Sequence, residues 1–244
     1  MSLNLQINKL LKKFETGNKL DSYKELKRIF KKNKQNNLLR YNLAVIQQKL
    51  NLNEEARFNY NYLIKTENSL KAMINLYNID IIEAKYKEAL DTINKILKIE
   101  QIDSVLKDKA FVFYKLNKIK ESKEICIFYL KKNNNDLVSL NIIGQCLFHE
   151  VKYDEAIKIF EKILEIDSKN LSALNSLGRT YHEKRESVKA EKYYLRALEI
   201  NNLSFYVLNN IAGFYREELN YNKAINYYEH ALSVNPNNAY IYNN

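Results

Sequence analysis

Residues Glu150–Asp167 read EVKYDEAIKIFEKILEID, and residues Glu83–Glu100 read EAKYKEALDTINKILKIE, two segments that align almost residue for residue 67 positions apart. The small residue after the acidic pair recurs as Ala56, Ala89, Ser122, Ala156, Ala190 and Ala224, at steps of 33, 33, 34, 34 and 34 residues. A fixed period of this length is the mark of a repeat architecture. Around Ala190 the unit divides in two. Leu174, Leu177, Gly178 and Tyr181 fall at i, i+3, i+4 and i+7, one face of a helix, and Ala190, Tyr194 and Ala197 form a second stripe after a polar turn at Lys184–Ser187. Two amphipathic helices joined by so short a turn make an antiparallel hairpin. Gly178 and Ala190 let the two helices approach, and Tyr181 and Tyr194 fill the space beside them.

The next unit repeats the pattern with Leu208, Ile211, Ala212 and Tyr215, then Ala224, Tyr228 and Ala231, and closes on Pro236. The unit near Leu137 keeps Leu140, Ile143, Gly144, Leu147, Ala156 and Phe160. In these residues the chain resembles the tetratricopeptide repeat family; ankyrin units of similar length carry a Thr-Pro-Leu-His signature that is absent here. Earlier units are looser: one keeps Leu106, Ala110 and Phe113 but has Ser122 and Cys126 where Ala and an aromatic are usual, and another keeps Leu43, Ala44, Ala56 and Tyr60. Residues 3–36, with Leu10, Leu11, Phe14, Leu26, Ile29 and Phe30, read as a degenerate helix pair without the signature residues.

The resemblance implies an all-α fold, a right-handed α-α superhelix of about seven helix pairs forming a single solenoid over 1–244. Its repeats fall at about 37–69, 70–102, 103–136, 137–170, 171–204 and 205–238. Residues Asn237–Asn244 (NNAYIYNN) match Leu203–Asn210 (LSFYVLNN), the opening of a first helix, so a truncated first helix is expected at 239–244. A half-built helix is a poor solenoid cap, which suits a piece of a longer protein.

Composition agrees with helices and short turns. Only 4 Gly and 1 Pro interrupt 244 residues, and a 46% hydrophobic, 28% charged chain is one that folds. Met1–Lys13 contains no apolar signal core, and no window approaches the roughly 20 apolar residues that span a bilayer, so a cytoplasmic protein is expected and no membrane partner. Cys126 and Cys146 sit among apolar neighbours and read as buried free thiols. The net charge of +10 raises the question of an anionic partner. Lysines run along the whole length, often beside Glu as in Lys85, Lys87 and Glu88, so no clustered basic face and no nucleic-acid partner is expected.

Catalytic signatures are missing. No phosphate loop, dinucleotide fingerprint, nucleophile elbow or H-E-x-x-H occurs, and the chain is read as non-enzymatic with no cofactor. His149 and His182 lack a third metal ligand type beside them and read as ordinary groove or surface histidines.

The family resemblance further implies that the first helix of each pair lines a concave groove. Asn141, Asn175, Asn209 and Asn243 recur there at steps of 34. This column resembles the asparagine ladder of the O-linked N-acetylglucosamine transferase repeats, whose amides bind extended peptide backbones, although the place that directly precedes the apolar position holds Ile142, Ser176 and Asn210 here. Asparagine amides offer both a donor and an acceptor to a backbone. Co-chaperone repeats that grip a terminal carboxylate use paired basic residues, and the matching places here, among them Gln145, Ser176 and Tyr206, hold no such clamp. The expected groove residues are Asn141, Gln145, Asn175, Arg179, His182, Asn209, Asn210 and Arg216. The expected function is a non-catalytic scaffold that binds an extended peptide or another protein. The alternative is the N-terminal repeat region of a larger enzyme, such as a glycosyltransferase or sulfotransferase. A further reading is homo-oligomerisation through a solenoid end.

Overall fold

The computed structural model describes residues 3–235. The expected helix at 239–244, Pro236 and Asn243 lie outside the described residues. Fourteen helices and no strands occur among the described residues, 82% of which are helical. In order they are α1 (Leu3–Glu15), α2 (Lys19–Lys32), α3 (Asn37–Lys49), α4 (Asn53–Glu67), α5 (Leu70–Ile82), α6 (Tyr86–Ile99), α7 (Asp103–Lys115), α8 (Ile119–Lys132), α9 (Leu137–His149), α10 (Tyr153–Ile166), α11 (Leu171–Glu183), α12 (Ser187–Ile200), α13 (Phe205–Glu217) and α14 (Tyr221–Val234).

The helices fall into two compact units, Met1–Asn117 and Lys118–Asn244. In the first, α1–α2, α3–α4 and α5–α6 are packed hairpins followed by α7; in the second, α8 precedes the packed hairpins α9–α10, α11–α12 and α13–α14. Within the second unit α9 packs on α11 and α11 on α13, whereas the second helices of successive pairs scarcely touch one another. The first helices therefore line the inner side of this unit.

The two helix types start differently. Four first helices carry side-chain caps: Asn36, Ser69, Asp136 and Asn170 accept hydrogen bonds from the amides of Leu39, Ala72, Ser139 and Ala173. Most second helices begin without one and instead emerge from a left-handed turn residue. That residue is Gly17, Asn51, Ala84, Asn117, Val151, Arg185 or Leu219, all at positive φ. At Val151 the turn is a Schellman motif, with Lys152 N–H donating to the Leu147 carbonyl at 2.9 Å and Val151 N–H to the Phe148 carbonyl at 3.0 Å. Gly17 falls 34 residues before Asn51, so the first pair turns in the register of the others.

The first pair also has a small residue in its second helix. Ser22, 34 residues before Ala56, is fully buried like Ala56, Ala89, Ser122, Ala156 and Ala190. Its pair is degenerate only in that Leu10 and Leu26 take the places of the small and aromatic residues, and both join a core with Ile7, Phe14, Tyr23, Leu39, Leu43 and Ile46. The looseness of the unit at 70–102 has a similar cause. Tyr77 stands where later units have Gly144 or Gly178, and Ile93 stands where they have Phe160 or Tyr194, so the large and small partners have exchanged helices inside one core cluster.

Successive pairs are also tied by charge at their turns. Arg57 of α4 reaches Asp80 at 2.5 Å and Glu83 at 2.7 Å, and Glu83 also accepts from Asn53 at 2.8 Å and pairs with Lys85 at 2.8 Å. Those donors, Lys85 foremost, hold the Glu83 carboxyl down at about 2. Asp80 is nearly fully buried, and burial raises its carboxyl above the usual carboxylate range despite the Arg57 partner. In the second unit Lys123 and Lys152 both hold Glu150 at 3.0 Å, and Lys184 bridges Asp154 at 2.6 Å and Glu186 at 3.0 Å.

Candidate functional site

The expected groove residues all lie on α9, α11 and α13, within the unit Lys118–Asn244. Their spacing puts them in rows, because residues one repeat apart sit on neighbouring first helices. Ser172 donates to Asn141 Oδ1 at 3.1 Å, Gln145 Nε2 donates to Ser176 Oγ at 2.7 Å, and Asn210 Nδ2 donates to Asn175 Oδ1 at 2.9 Å. Each bond joins one first helix to the next.

Each link leaves part of an amide unused. Asn141 and Asn175 act as acceptors, so among the described residues their NH2 groups have no protein partner, and Asn210 as donor keeps its Oδ1 open. These amides are half-buried. Orientation is thus set by one hydrogen bond while the second hydrogen-bonding group has no protein partner among the described residues.

The asparagine column is not continuous. Asn209 stands in line with Asn141 and Asn175, but the partner of Asn175 is Asn210, and the Oδ1 of Asn209 is buried without a hydrogen-bond partner among the described residues. The break follows from Ile142 and Ser176, which are buried between the helices, whereas Asn210 at the equivalent place remains half-buried and can turn toward Asn175.

Beyond the amides the groove is aromatic and charged. The Arg179 guanidinium lies 4.6 Å from the centre of the Phe148 ring. His182 packs edge-on against Phe214 at 5.3 Å, and its Nε2 sits 3.1 Å from Glu217 Oε2, within ion-pair distance but poorly aligned for a hydrogen bond. Arg185 also reaches Glu217, at 3.6 Å. Arg216 is half-buried in the last turn of α13. Phe148, Phe214 and Glu217 were not among the residues expected from the sequence. A signal was available for Phe148 alone, since Phe148, His182 and Arg216 occupy one repeat position at steps of 34.

His149 is exposed at the end of α9, and His182 is engaged with Glu217 instead. Cys126 and Cys146 are both buried, with Cys146 Sγ 3.8 Å from Ser122 Oγ. Burial pushes the Cys146 thiol up, away from the reactive thiolate. No helix among the described residues is long and apolar enough to cross a membrane.

Known proteins share this fold. Tetratricopeptide repeat models match residues 135–202 and 205–238. The fold superimposes on a crystal structure of a tetratricopeptide repeat protein from Parabacteroides merdae with a TM-score of 0.88, at 15% identity, over 98% of this chain and 96% of that one. It also matches the APC/C hetero-tetramer Cut9–Hcn1, with a TM-score of 0.72 at 17% identity, covering 99% of this chain and 48% of that chain. YrrB, a tetratricopeptide protein with an unusual peptide-binding site, gives a TM-score of 0.52 at 24% identity over 75% of this chain and 95% of that one. Residues 135–202 and 205–238 thus match tetratricopeptide repeats, and the chain as a whole has the tetratricopeptide repeat fold.

Proposed function

We propose that the inner face of α9, α11 and α13 binds an extended peptide segment of another protein, reading its backbone through Asn141, Asn175 and Asn210. The fold is that of a protein-interaction scaffold, and a similar fold occurs in a protein described as peptide-binding and in a subunit assembly. One observation supports the reading most directly: three amides are each held by a bond to the neighbouring repeat and each keeps a donor or acceptor for a ligand. Ordering the amides in advance lowers the entropy lost on binding. Phe148 with Arg179, and His182 seated on the buried Phe214, supply surfaces for apolar or acidic side chains between the backbone contacts.

Each amide bond contributes only about 0.5–1.5 kcal/mol, so the affinity is shared among repeats. The test is to select peptides on the full-length protein from a random display library and to measure their affinities by fluorescence anisotropy. Combined Asn141→Ala, Asn175→Ala and Asn210→Ala should weaken the selected peptides at least tenfold and leave the helical circular dichroism unchanged. Replacing Lys158 and Lys192 on α10 and α12 should do little. Loss of binding on the lysine changes with none on the asparagine changes sinks the groove reading.

A further inference from the structure

The charge of this protein is concentrated at one place. Residues 1–34 hold ten Lys and Arg against three Asp and Glu, so +7 of the total +10 lies in the first helix pair and the two residues after it. Lysines do run along the whole chain, as expected, but past residue 34 they are nearly matched by acids, which corrects the reading that no basic face exists.

The cations line a groove. A cleft of about 550 Å³ opens between α1 and α2, with Lys9 and Lys13 on one wall, Arg28 and Lys32 on the other, and Leu3, Leu10 and Ile29 among the residues that line it. All four cations are exposed, and none has an ion-pair partner among the described residues. Glu25 is the single carboxylate at the cleft.

Repeat register tells what such a groove takes. Gln6, Lys9 and Lys13 stand where α11 has Leu174, Leu177 and Tyr181 and where α13 has Leu208, Ile211 and Tyr215. Those six are buried, and Leu208 packs with Leu198 from the second helix of the pair before it. In the later pairs this place therefore accepts a helix of the preceding pair. In the first pair it keeps an apolar floor but exchanges its apolar rim for cations. A solvated helix face needs only mixed charges; four exposed cations with no ion-pair partner among the described residues, against one carboxylate, go further.

We propose that the α1–α2 cleft is a second docking site, which takes an acidic amphipathic helix of another protein laid where a preceding second helix would lie. Its apolar side chains meet Leu3, Leu10 and Ile29, and its carboxylates meet Lys9, Lys13, Arg28 and Lys32. The site shares no residue with the α9–α11–α13 groove and stands or falls independently of it.

The probe is a fluorescein-labelled helical peptide with Leu at i, i+3, i+4 and i+7 and Glu elsewhere, titrated with the full-length protein. Two controls replace every Glu by Lys, or every Leu by Glu. The Leu–Glu peptide should bind, and its affinity should fall by at least tenfold both in high salt and on combined Lys9→Gln, Lys13→Gln, Arg28→Gln and Lys32→Gln. Lys158→Gln with Lys192→Gln should leave it unchanged. The salt titration needs no variant, so the proposal is testable even if the fourfold change disturbs folding. Equal binding of the all-Glu peptide, binding of the Leu–Lys peptide, or indifference to salt overturns it. So does tighter, cleft-dependent binding of a single-stranded oligonucleotide, or cleft-dependent self-association in sedimentation, which would assign the surface to nucleic acid or to a second copy.

Discussion

Gly178 and Tyr194 face each other so closely that a Cβ on the glycine would lie 2.6 Å from the ring carbons Cδ1 and Cε1 of the tyrosine. Gly144 stands in the same relation to Phe160, one repeat earlier, at 2.4 Å. Both rings are essentially fully buried, so neither can move aside cheaply. Gly178→Ala should destabilise by about 1–3 kcal/mol through overpacking. Gly213 is the internal control, because its added Cβ would meet only the Tyr228 hydroxyl, at 3.7 Å. There the helix propensity of alanine wins, and Gly213→Ala should stabilise by up to about 1 kcal/mol. Thermal melting of the two variants checks both signs, and shifts in the same direction would contradict the packing argument.

Val151 holds the left-handed turn between α9 and α10 at φ 61°. A β-branched residue there is strained by about 1–2 kcal/mol, while asparagine tolerates this conformation. Val151 is largely exposed, so little packing is lost on replacing it. Val151→Asn should raise stability by about 1 kcal/mol, and Gly17→Val should lower it by a similar amount. Urea unfolding followed by circular dichroism measures both; a destabilised Val151→Asn would show that the turn relaxes in solution.

The hydroxyl of Ser22 is buried without a partner among the described residues. Leaving such a group unsatisfied costs about 1–3 kcal/mol, so Ser22→Ala should stabilise the first pair and slow hydrogen exchange in α1 and α2. Unchanged exchange would mean that a water reaches Ser22.

Glu83 ties α4 to the turn after α5, and its carboxyl is held at about 2, below its ordinary value of 4.5. A depressed carboxyl contributes stability above its unfolded value and loses it as pH falls from about 4.5 toward 2. Glu83→Gln should therefore lower stability at pH 7, and the difference from wild type should shrink between about pH 4.5 and pH 2. Urea midpoints measured across that range test it, and a difference independent of pH would assign the effect to packing alone.

The asparagine ladder shows where sequence stops being enough. Period and apolar spacing alone determined that the chain is a set of helix pairs, because burying one stripe of a 3.6-residue period against a neighbour leaves few other solutions. They also marked Gly178, Ala190 and Tyr194 as residues on the facing stripes of one pair, but that Gly178 lies against the Tyr194 ring was decided only when α11 and α12 were laid together. Which amide bonds which was decided only in three dimensions. Asn209 and Asn210 are adjacent on one helix, and the choice of Asn210 as the partner of Asn175 depends on about 100° of rotation around α13 and on what the neighbouring helix buries. The cation-lined cleft divides in the same way: the charge excess of residues 1–34 is legible in the chain, but its convergence on one groove required α1 and α2 to be laid side by side.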